Sequence, residues 1–192
     1  MILTHTRHSL GGKSNNIHGI LFDVAWLWEE YLNTIFKDDF IHPRNKQNSG
    51  GIAVFVDGKR IVYPDFYNKK IDMIVDAKYK DLTDQSISRE DLYQIISYSY
   101  ILESKIAGVV FPSKNESKLS KIGKLSGYGA NIFKQSIHIP QQVHGYREFD
   151  ACIKKSEDDF KIKLKDYYIE IQKHNKEAES WADNNHYLTK LR

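Results

Sequence analysis

Residues 71–80 read IDMIVDAKYK, and this stretch decides the fold. Successive side chains on a strand point to opposite faces of the sheet. One face of this stretch carries only apolar and aromatic side chains, which are Ile71, Met73, Val75, Ala77 and Tyr79. The other face turns polar in its second half, where Asp76, Lys78 and Lys80 follow Ile74. We therefore predict a strand from Ile71 to Lys80 that packs on the core with one face and presents reactive groups on the other.

The residues before this strand predict a hairpin. Ile52 to Val56 is apolar and β-branched, Asp57-Gly58 is a turn signal, and Arg60 to Phe66 is the expected return strand. Asn68-Lys69 predicts a second turn that folds the chain back into the strand from Ile71.

Helices and further strands are expected on either side. The predicted elements are a helix capped by Asp23 and ending near Lys37 to Asp39, a helix from Ser88 to Glu103, strands from Ile106 to Phe111 and from Asn131 to Ile139 that end at Pro112 and Pro140, and a charged helix from about Phe149. A lysine-rich loop is expected through Lys114, Lys118, Lys121 and Lys124. This order predicts an α/β domain with a mixed sheet covered on both faces. The expected boundaries are an irregular segment at 1–20, a core at 21–145 and a helical extension at 146–192.

Composition excludes some classes of protein and leaves others open. The chain has 192 residues, one cysteine and a formal net charge of +3. One cysteine allows neither an internal disulfide nor a paired-cysteine metal site. The N-terminal residues show no secretory signal, and no apolar run has the length of a membrane span. A cytoplasmic location without membrane contact is the expectation.

Three residues form a constellation that predicts metal chemistry. Asp76 and Lys78 are two residues apart on a strand, so their side chains point the same way about 6.5 to 7 Å apart. The turn at Asn68-Lys69 folds the chain so that Asp65 can approach Asp76 across two paired strands. Neighbouring carboxylates repel unless a cation lies between them, and Mg²⁺ prefers such oxygen ligands. The alternative is that Asp65 is a turn residue and that Asp76 and Lys78 are solvated.

Two helices add further candidates. Gln94 and Tyr98 are four residues apart and therefore share a helix face. Glu29 and Glu30 stand among bulky apolar residues of the first helix, where an inward carboxylate needs a cation or hydrogen bonds. An ordinary exposed polar face is the alternative for both pairs.

In this order, these residues resemble the PD-(D/E)xK nuclease superfamily and, more closely, the McrC nuclease subunits of modification-dependent McrBC restriction systems. The resemblance covers roughly Gly19 to Pro140. The matching stretches are Leu21-Phe22-Asp23 with Leu27-Trp28-Glu29 and Tyr31-Leu32, Tyr63-Pro64-Asp65, Val75-Asp76-Ala77-Lys78-Tyr79-Lys80, Asp91-Leu92-Tyr93-Gln94 with Tyr98, and Val109 to Pro112. The resemblance implies a restriction-endonuclease-like fold and Mg²⁺-dependent cleavage of DNA.

The resemblance also implies roles for single residues. It implies that Asp65 and Asp76 bind Mg²⁺, for which Mn²⁺ can substitute, and that Lys78 is the catalytic lysine. It implies that Glu29 completes the metal environment, with Glu30 as the alternative. Gln94 and Tyr98 match the QxxxY feature of RecB-like members, which helps to hold the substrate or the site.

A GTP-driven AAA+ partner of the McrB type is implied as well. Members usually carry a sizeable N-terminal region for partner contact, whereas about twenty residues precede the first helix here. The sequence therefore leaves open a fragment of a longer protein or a shortened relative with another partner. A nuclease fold without activity and a defence nuclease that acts on RNA are the other readings.

Overall fold

The computed structural model describes residues 23–44, 47–127 and 129–189, with side chains described up to residue 177. The irregular segment predicted at 1–20 lies outside these residues. The described part of the chain forms three helices and seven strands. These are α1 (Val24–Phe36), β1 (Ile52–Ala53), β2 (Ile61–Val62), β3 (Phe66–Asn68), β4 (Met73–Ala77), α2 (Arg89–Leu102), β5 (Ile106–Ser113), β6 (Leu119–Lys124), β7 (Asn131–His138) and α3 (Tyr146–Thr189).

Five of the strands form one mixed sheet in the order β3-β4-β5-β7-β6. Strands β4, β5 and β7 run parallel, while β3 and β6 pair antiparallel at the two edges. Strands β1 and β2 form a separate two-stranded hairpin. The prediction of an α/β fold with a mixed central sheet is confirmed.

The sheet is covered on both faces, as predicted for a sheet with parallel strands. Leu32 of α1 and Phe160 of α3 pack with Val75 in one core cluster. Ile95 of α2 packs with Ile74 in a second cluster on the opposite face. The alternation read from residues 71–80 therefore separates the two cores.

The predicted helix starts are confirmed by their caps. The side chain of Asp23 accepts a hydrogen bond from the backbone N–H of Trp26 at 3.1 Å, and Ser88 Oγ accepts one from the N–H of Asp91 at 3.1 Å. Such caps satisfy backbone donors that have no partner within the helix. Helix α2 ends at Glu103, whose φ of 52° is left-handed.

The predicted return strand from Arg60 to Phe66 is wrong as a single element. Strand β2 pairs with β1, but β3 leaves that hairpin and pairs with β4 in the main sheet. The chain changes sheets at Pro64-Asp65, where proline supplies no N–H for a ladder. Strand β4 is also shorter than the predicted Ile71 to Lys80 at both ends. It starts at Met73 because the turn extends to Asp72, which has a φ of 51°, and it ends at Ala77.

Two expectations for the second half of the sheet are wrong. Strand β5 does not stop at Pro112 but continues to Ser113, with Pro112 opposite Ile137 of β7. The backbone groups of successive residues in a strand point to alternate sides. The Val110 carbonyl points towards β4 and accepts a hydrogen bond from the Lys78 N–H, so the backbone nitrogen of Pro112 points to that same side, beyond the end of β4. The lysine-rich stretch is not all loop, because Leu119–Lys124 forms the edge strand β6. Lysines suit an edge because they discourage pairing with other chains.

Helix α3 begins at Tyr146, and its predicted apolar seam is confirmed. Phe160, Leu164, Tyr167 and Ile171 are buried, and Tyr168 packs against them. Among the described residues, every helix is too short or too polar to span a lipid bilayer.

Candidate active site

Asp65 immediately precedes β3 and lies beside Asp76 of the neighbouring antiparallel strand β4. Phe66 pairs with Val75, so the register continued by one residue places Asp65 opposite Asp76. Asp65 Oδ2 accepts a hydrogen bond from the N–H of Ala77 at 2.7 Å, which holds its carboxylate against the end of β4. His42 Nδ1 lies 2.7 Å from the Asp65 backbone carbonyl. The approach of the two acids predicted from the turn is therefore observed.

Asp76 is a buried acid without satisfied oxygens. Its exposed fraction is 1%, and neither carboxylate oxygen has a hydrogen bond of good geometry. Burial, followed by the charge of Asp65, raises the pKa of Asp76 to about 7. Burial also raises the pKa of Asp65 to about 6, against the opposing effect of the Ala77 N–H. A buried carboxylate that lacks hydrogen bonds is costly and therefore indicates a further cation beside it.

Lys78 joins two elements of the site. Its Nζ lies 2.8 Å from Asp76 Oδ2 and 2.8 Å from Asp91 Oδ1. The Asp76 contact is an ion pair in distance, although it lacks the angles of a hydrogen bond. Burial acts to lower the pKa of Lys78, but Asp76 and Asp91 outweigh it and raise that pKa.

Asp91 is a site residue that the sequence reasoning missed. It stood in the stretch Asp91-Leu92-Tyr93-Gln94 without a predicted role. The structure turns its carboxylate to Lys78. Burial acts to raise the pKa of Asp91, but the bond from Lys78 holds that pKa below its ordinary value. Its place in the first turn of α2 beside the Asp-x-Lys strand was the available signal.

Glu29 faces the site, whereas Glu30 has other partners. The pKa of Glu29 is raised by burial first, and then by the charges of Asp23 and Asp76. Glu30 Oε2 lies 3.4 Å from Arg44 NH2, and its other oxygen lies 3.8 Å from His42 Nε2. Of the two glutamates, Glu29 is therefore the one whose charge acts on the carboxylate pair.

Gln94 and Tyr98 contact each other on the face of α2 that lies towards the site. Gln94 Nε2 donates to the Tyr98 hydroxyl at 3.2 Å. Burial raises the pKa of Tyr98, with smaller contributions from Asp65 and Asp76. The shared helix face is thus observed, and the role of the two residues in holding substrate stays a prediction.

Lys134 positions the segment between β4 and α2, and nothing local in the sequence singled it out. From β7, its Nζ donates to the carbonyls of Leu82 at 2.7 Å, Thr83 at 3.1 Å and Gln85 at 2.8 Å. These three bonds use every N–H of the ammonium. They tie down the loop that leads from Lys78 to Asp91.

The carboxylate pair is the part of the site that could hold a metal ion. No group of three or more His, Cys, Asp or Glu side chains arranged to bind a metal occurs in the part of the chain that the structure describes. Mg²⁺ needs fewer protein ligands, because it keeps several waters and is often bound by one or two carboxylates. Asp76 Oδ1, which has no partner among the described residues, lies beside Asp65 and fits that requirement, and Glu29 as a further ligand stays a prediction.

Similarity to known proteins is found in a family model and in a solved structure. The model of a family described as "McrBC 5-methylcytosine restriction system component" matches residues 1–112. No curated protein matches the chain. One similar solved structure is a half-complex from a tetradecameric assembly of Thermococcus gammatolerans McrB AAA+ hexamers with bound McrC. That similarity has a TM-score of 0.48 and 14% identity. It covers 71% of this chain and 33% of the chain in the solved structure, so this chain spans about a third of the length of that chain. The family match spans more than half of the sequence, and the chain belongs to the McrBC 5-methylcytosine restriction system component family.

Proposed function

We propose that this chain is a Mg²⁺-dependent endonuclease of the PD-(D/E)xK type that hydrolyses DNA phosphodiester bonds, as the nuclease component of a McrBC-type restriction system. The observation that carries the proposal is the buried carboxylate of Asp76, which lies beside Asp65, has no hydrogen bond of good geometry to either oxygen and forms an ion pair with Lys78 through Oδ2. A protein keeps such a costly group where a function requires it. The proposal includes action on foreign DNA in the cytoplasm.

Asp65 and Asp76 are the residues that would hold the ion. Their side chains meet at the end of β4, and a divalent cation between them would remove both their repulsion and the burial cost. Bound Mg²⁺, or Mn²⁺ in its place, supplies charge neutralisation at the phosphate and a more acidic water ligand. The hydrogen bond from the Ala77 N–H to Asp65 Oδ2 keeps Asp65 in place.

Lys78 supplies positive charge for the reacting phosphate. Its ammonium is anchored between Asp76 and Asp91, which favours the charged form and fixes its position. A preorganised cation stabilises the negative charge that develops on phosphorus oxygens without moving during the reaction. We therefore assign Lys78 to electrostatic stabilisation of the transition state, with Asp91 as its positioning residue.

The partner is proposed to be a McrB-like AAA+ GTPase. Family membership supports this, because the family is described as a component of a 5-methylcytosine restriction system. In the proposed division of labour, the GTPase recognises modified DNA and moves along it, and this chain cuts.

The test is cleavage of plasmid DNA with and without 5-methylcytosine, in Mg²⁺, with and without the McrB-like GTPase and GTP. Asp76→Asn and Lys78→Ala are expected to lose activity by at least about a hundredfold, as for other electrostatic catalytic groups. Asp72→Asn is the matched control, because Asp72 is on the same chain segment but pairs with Lys105 at 3.5 Å outside the site. It should cut like the wild type.

Three results would overturn the proposal. Equal cleavage by the wild type, Asp76→Asn and Lys78→Ala would assign the activity to a contaminant. No cleavage of either DNA in the presence of partner, GTP, Mg²⁺ or Mn²⁺ would favour an inactive binding module, and cleavage of RNA alone would favour an RNA-directed nuclease.

A further inference from the structure

An open groove of about 880 Å³ lies where the carboxyl ends of β4, β5 and β7 meet the first turns of α1. Tyr79 and Lys80 line it from the end of β4, Pro112 and Lys114 from the end of β5, and Leu27 and Tyr31 from α1. Cavities of this size accommodate drug-sized ligands, which corresponds to on the order of one or two nucleotides.

The groove lies at the same end of the sheet as the candidate active site, on the side of α1, whereas Lys78 faces Asp91 of α2. Tyr79 and Lys80 follow Lys78 in the chain, and Trp28 of the groove wall precedes Glu29. The indole N–H of Trp28 donates to the Val110 carbonyl at 3.2 Å, which fixes α1 against β5. The groove and the candidate active site are therefore neighbours at the carboxyl end of β4.

The walls of the groove are apolar and aromatic, and they are open to solvent. Leu27 is 50% exposed and Tyr79 is 49% exposed, which is unusual for large apolar side chains that share one concave surface. The hydroxyl of Tyr31 is already used, because it donates to Glu157 Oε1 at 2.9 Å. Tyr31 therefore offers the groove its ring and not its polar end.

Positive charge lies on the same groove. Within the described residues, neither Lys80 nor Lys114 has an ion pair within 4 Å. The acid of the groove is Asp81, whose carboxylate is occupied by the backbone N–H of Thr83 at 2.9 Å and by its hydroxyl at 2.5 Å. The groove thus combines aromatic faces with two ammonium groups and one carboxylate.

This combination fits one kind of ligand. Bases stack on aromatic side chains while lysines contact the phosphates, and this is how proteins bind single strands. A base inside a duplex is stacked on its neighbours and cannot offer its face to a concave wall. We propose that the groove binds an unpaired nucleotide strand next to the scissile phosphate, with a base on Tyr79 and phosphates at Lys80 and Lys114. This inference rests on the proposed nuclease function, because it takes its direction from the site at Lys78.

The test measures binding and not cleavage, so that its failure is separate from a failure of the nuclease proposal. The full chain, and its Asp76→Asn variant, are titrated in EDTA with a fluorescent single-stranded oligonucleotide and with the duplex of the same sequence. The single strand is expected to bind more tightly than the duplex. Tyr79→Ala should weaken single-strand binding about tenfold, the loss of one stacked base. Tyr79→Phe should restore it, because the ring is kept.

Tyr93→Ala is the matched control, since Tyr93 is 61% exposed on α2 and does not line the groove. It should bind like the wild type. Lys80→Ala and Lys114→Ala should each reduce the salt dependence of single-strand binding by roughly 0.7 in the logarithmic slope. Thermal melting of each variant confirms that it is folded.

The proposal is overturned if Tyr79→Ala binds the single strand as well as the wild type, or if no oligonucleotide binds to either form of the protein. Equal binding of single strand and duplex would also overturn it. A Tyr79→Ala protein that keeps oligonucleotide binding and loses the GTPase partner would assign the groove to a protein contact instead. Loss of plasmid cleavage with retained, Tyr79-dependent binding would reject only the nuclease proposal.

Discussion

Replacement of Asp76 by asparagine should stabilise the metal-free protein at alkaline pH. The side chain is 1% exposed, and its pKa is raised from 3.8 to about 7. A shift of this size corresponds to about 4 kcal/mol of unfavourable free energy once the group is ionised in the folded state. Asparagine removes the charge but leaves a buried amide that lacks partners, which costs about 1–3 kcal/mol. The expected net gain is therefore about 1–3 kcal/mol.

The direction of the pKa shift determines how the stability changes with pH. Because the pKa of Asp76 is higher in the folded state than in the unfolded state, the folded protein binds more protons between pH 3.8 and about pH 7. The wild type therefore loses stability as the pH rises through this window, and the full cost is present above it. The free energy of unfolding of Asp76→Asn exceeds that of the wild type, and this difference should shrink by roughly 2 kcal/mol from about pH 8 to about pH 5.

The assay is urea denaturation in EDTA, followed by circular dichroism at both pH values, with Asp72→Asn as control. Asp72 has a left-handed φ of 51°, which asparagine also adopts, and its side chain is 37% exposed. That control should differ little from the wild type at either pH. A lower stability of Asp76→Asn at alkaline pH, or an advantage that does not change with pH, would refute the reasoning. Addition of Mg²⁺ should stabilise the wild type and not the variant.

Three further predictions concern stability. Lys78→Met should destabilise the protein by about 1–3 kcal/mol, because it leaves two carboxylates without their shared cation. Denaturation at neutral and at acidic pH should show that this loss of stability is smaller in acid. Phe160→Ala should cost about 3–5 kcal/mol, because this ring is fully buried between α3 and the sheet, while Ile162→Ala, at a side chain that is 59% exposed, should change the unfolding midpoint little. Gly108→Ala should lower the melting temperature, because its added Cβ would lie 2.4 Å from the backbone oxygen of Phe133; an unchanged melting temperature would contradict the tight β5–β7 pairing.

Much of the fold was readable because its signals are local. The alternation over residues 71–80 separates Val75 and Ile74 into two cores on opposite faces of the sheet. The caps at Asp23 and Ser88 depend on hydrogen bonds to residues three positions later, so the sequence displays both partners together. Strand and helix periodicities and caps need no knowledge of the rest of the chain.

The errors arose where an element depends on its neighbours in the sheet. Pro112 ends many strands, but here its missing N–H faces the side on which β4 has already ended. The stretch Leu119–Lys124 has a weak strand pattern and becomes β6 because β7 offers a free edge. Pairing partners in a sheet are distant in sequence, so neither outcome was visible in the local pattern.

The sequence by itself determined the chemistry of the candidate site, because Asp76 and Lys78 share a strand face and Asp65 follows from the turn before it. The tertiary structure alone decided which groups complete that site. It placed Asp91 Oδ1 2.8 Å from Lys78 Nζ, and it placed Glu30 in an ion pair with Arg44. These contacts join side chains from separate elements, and their geometry exists only after the sheet order and the helix positions are set.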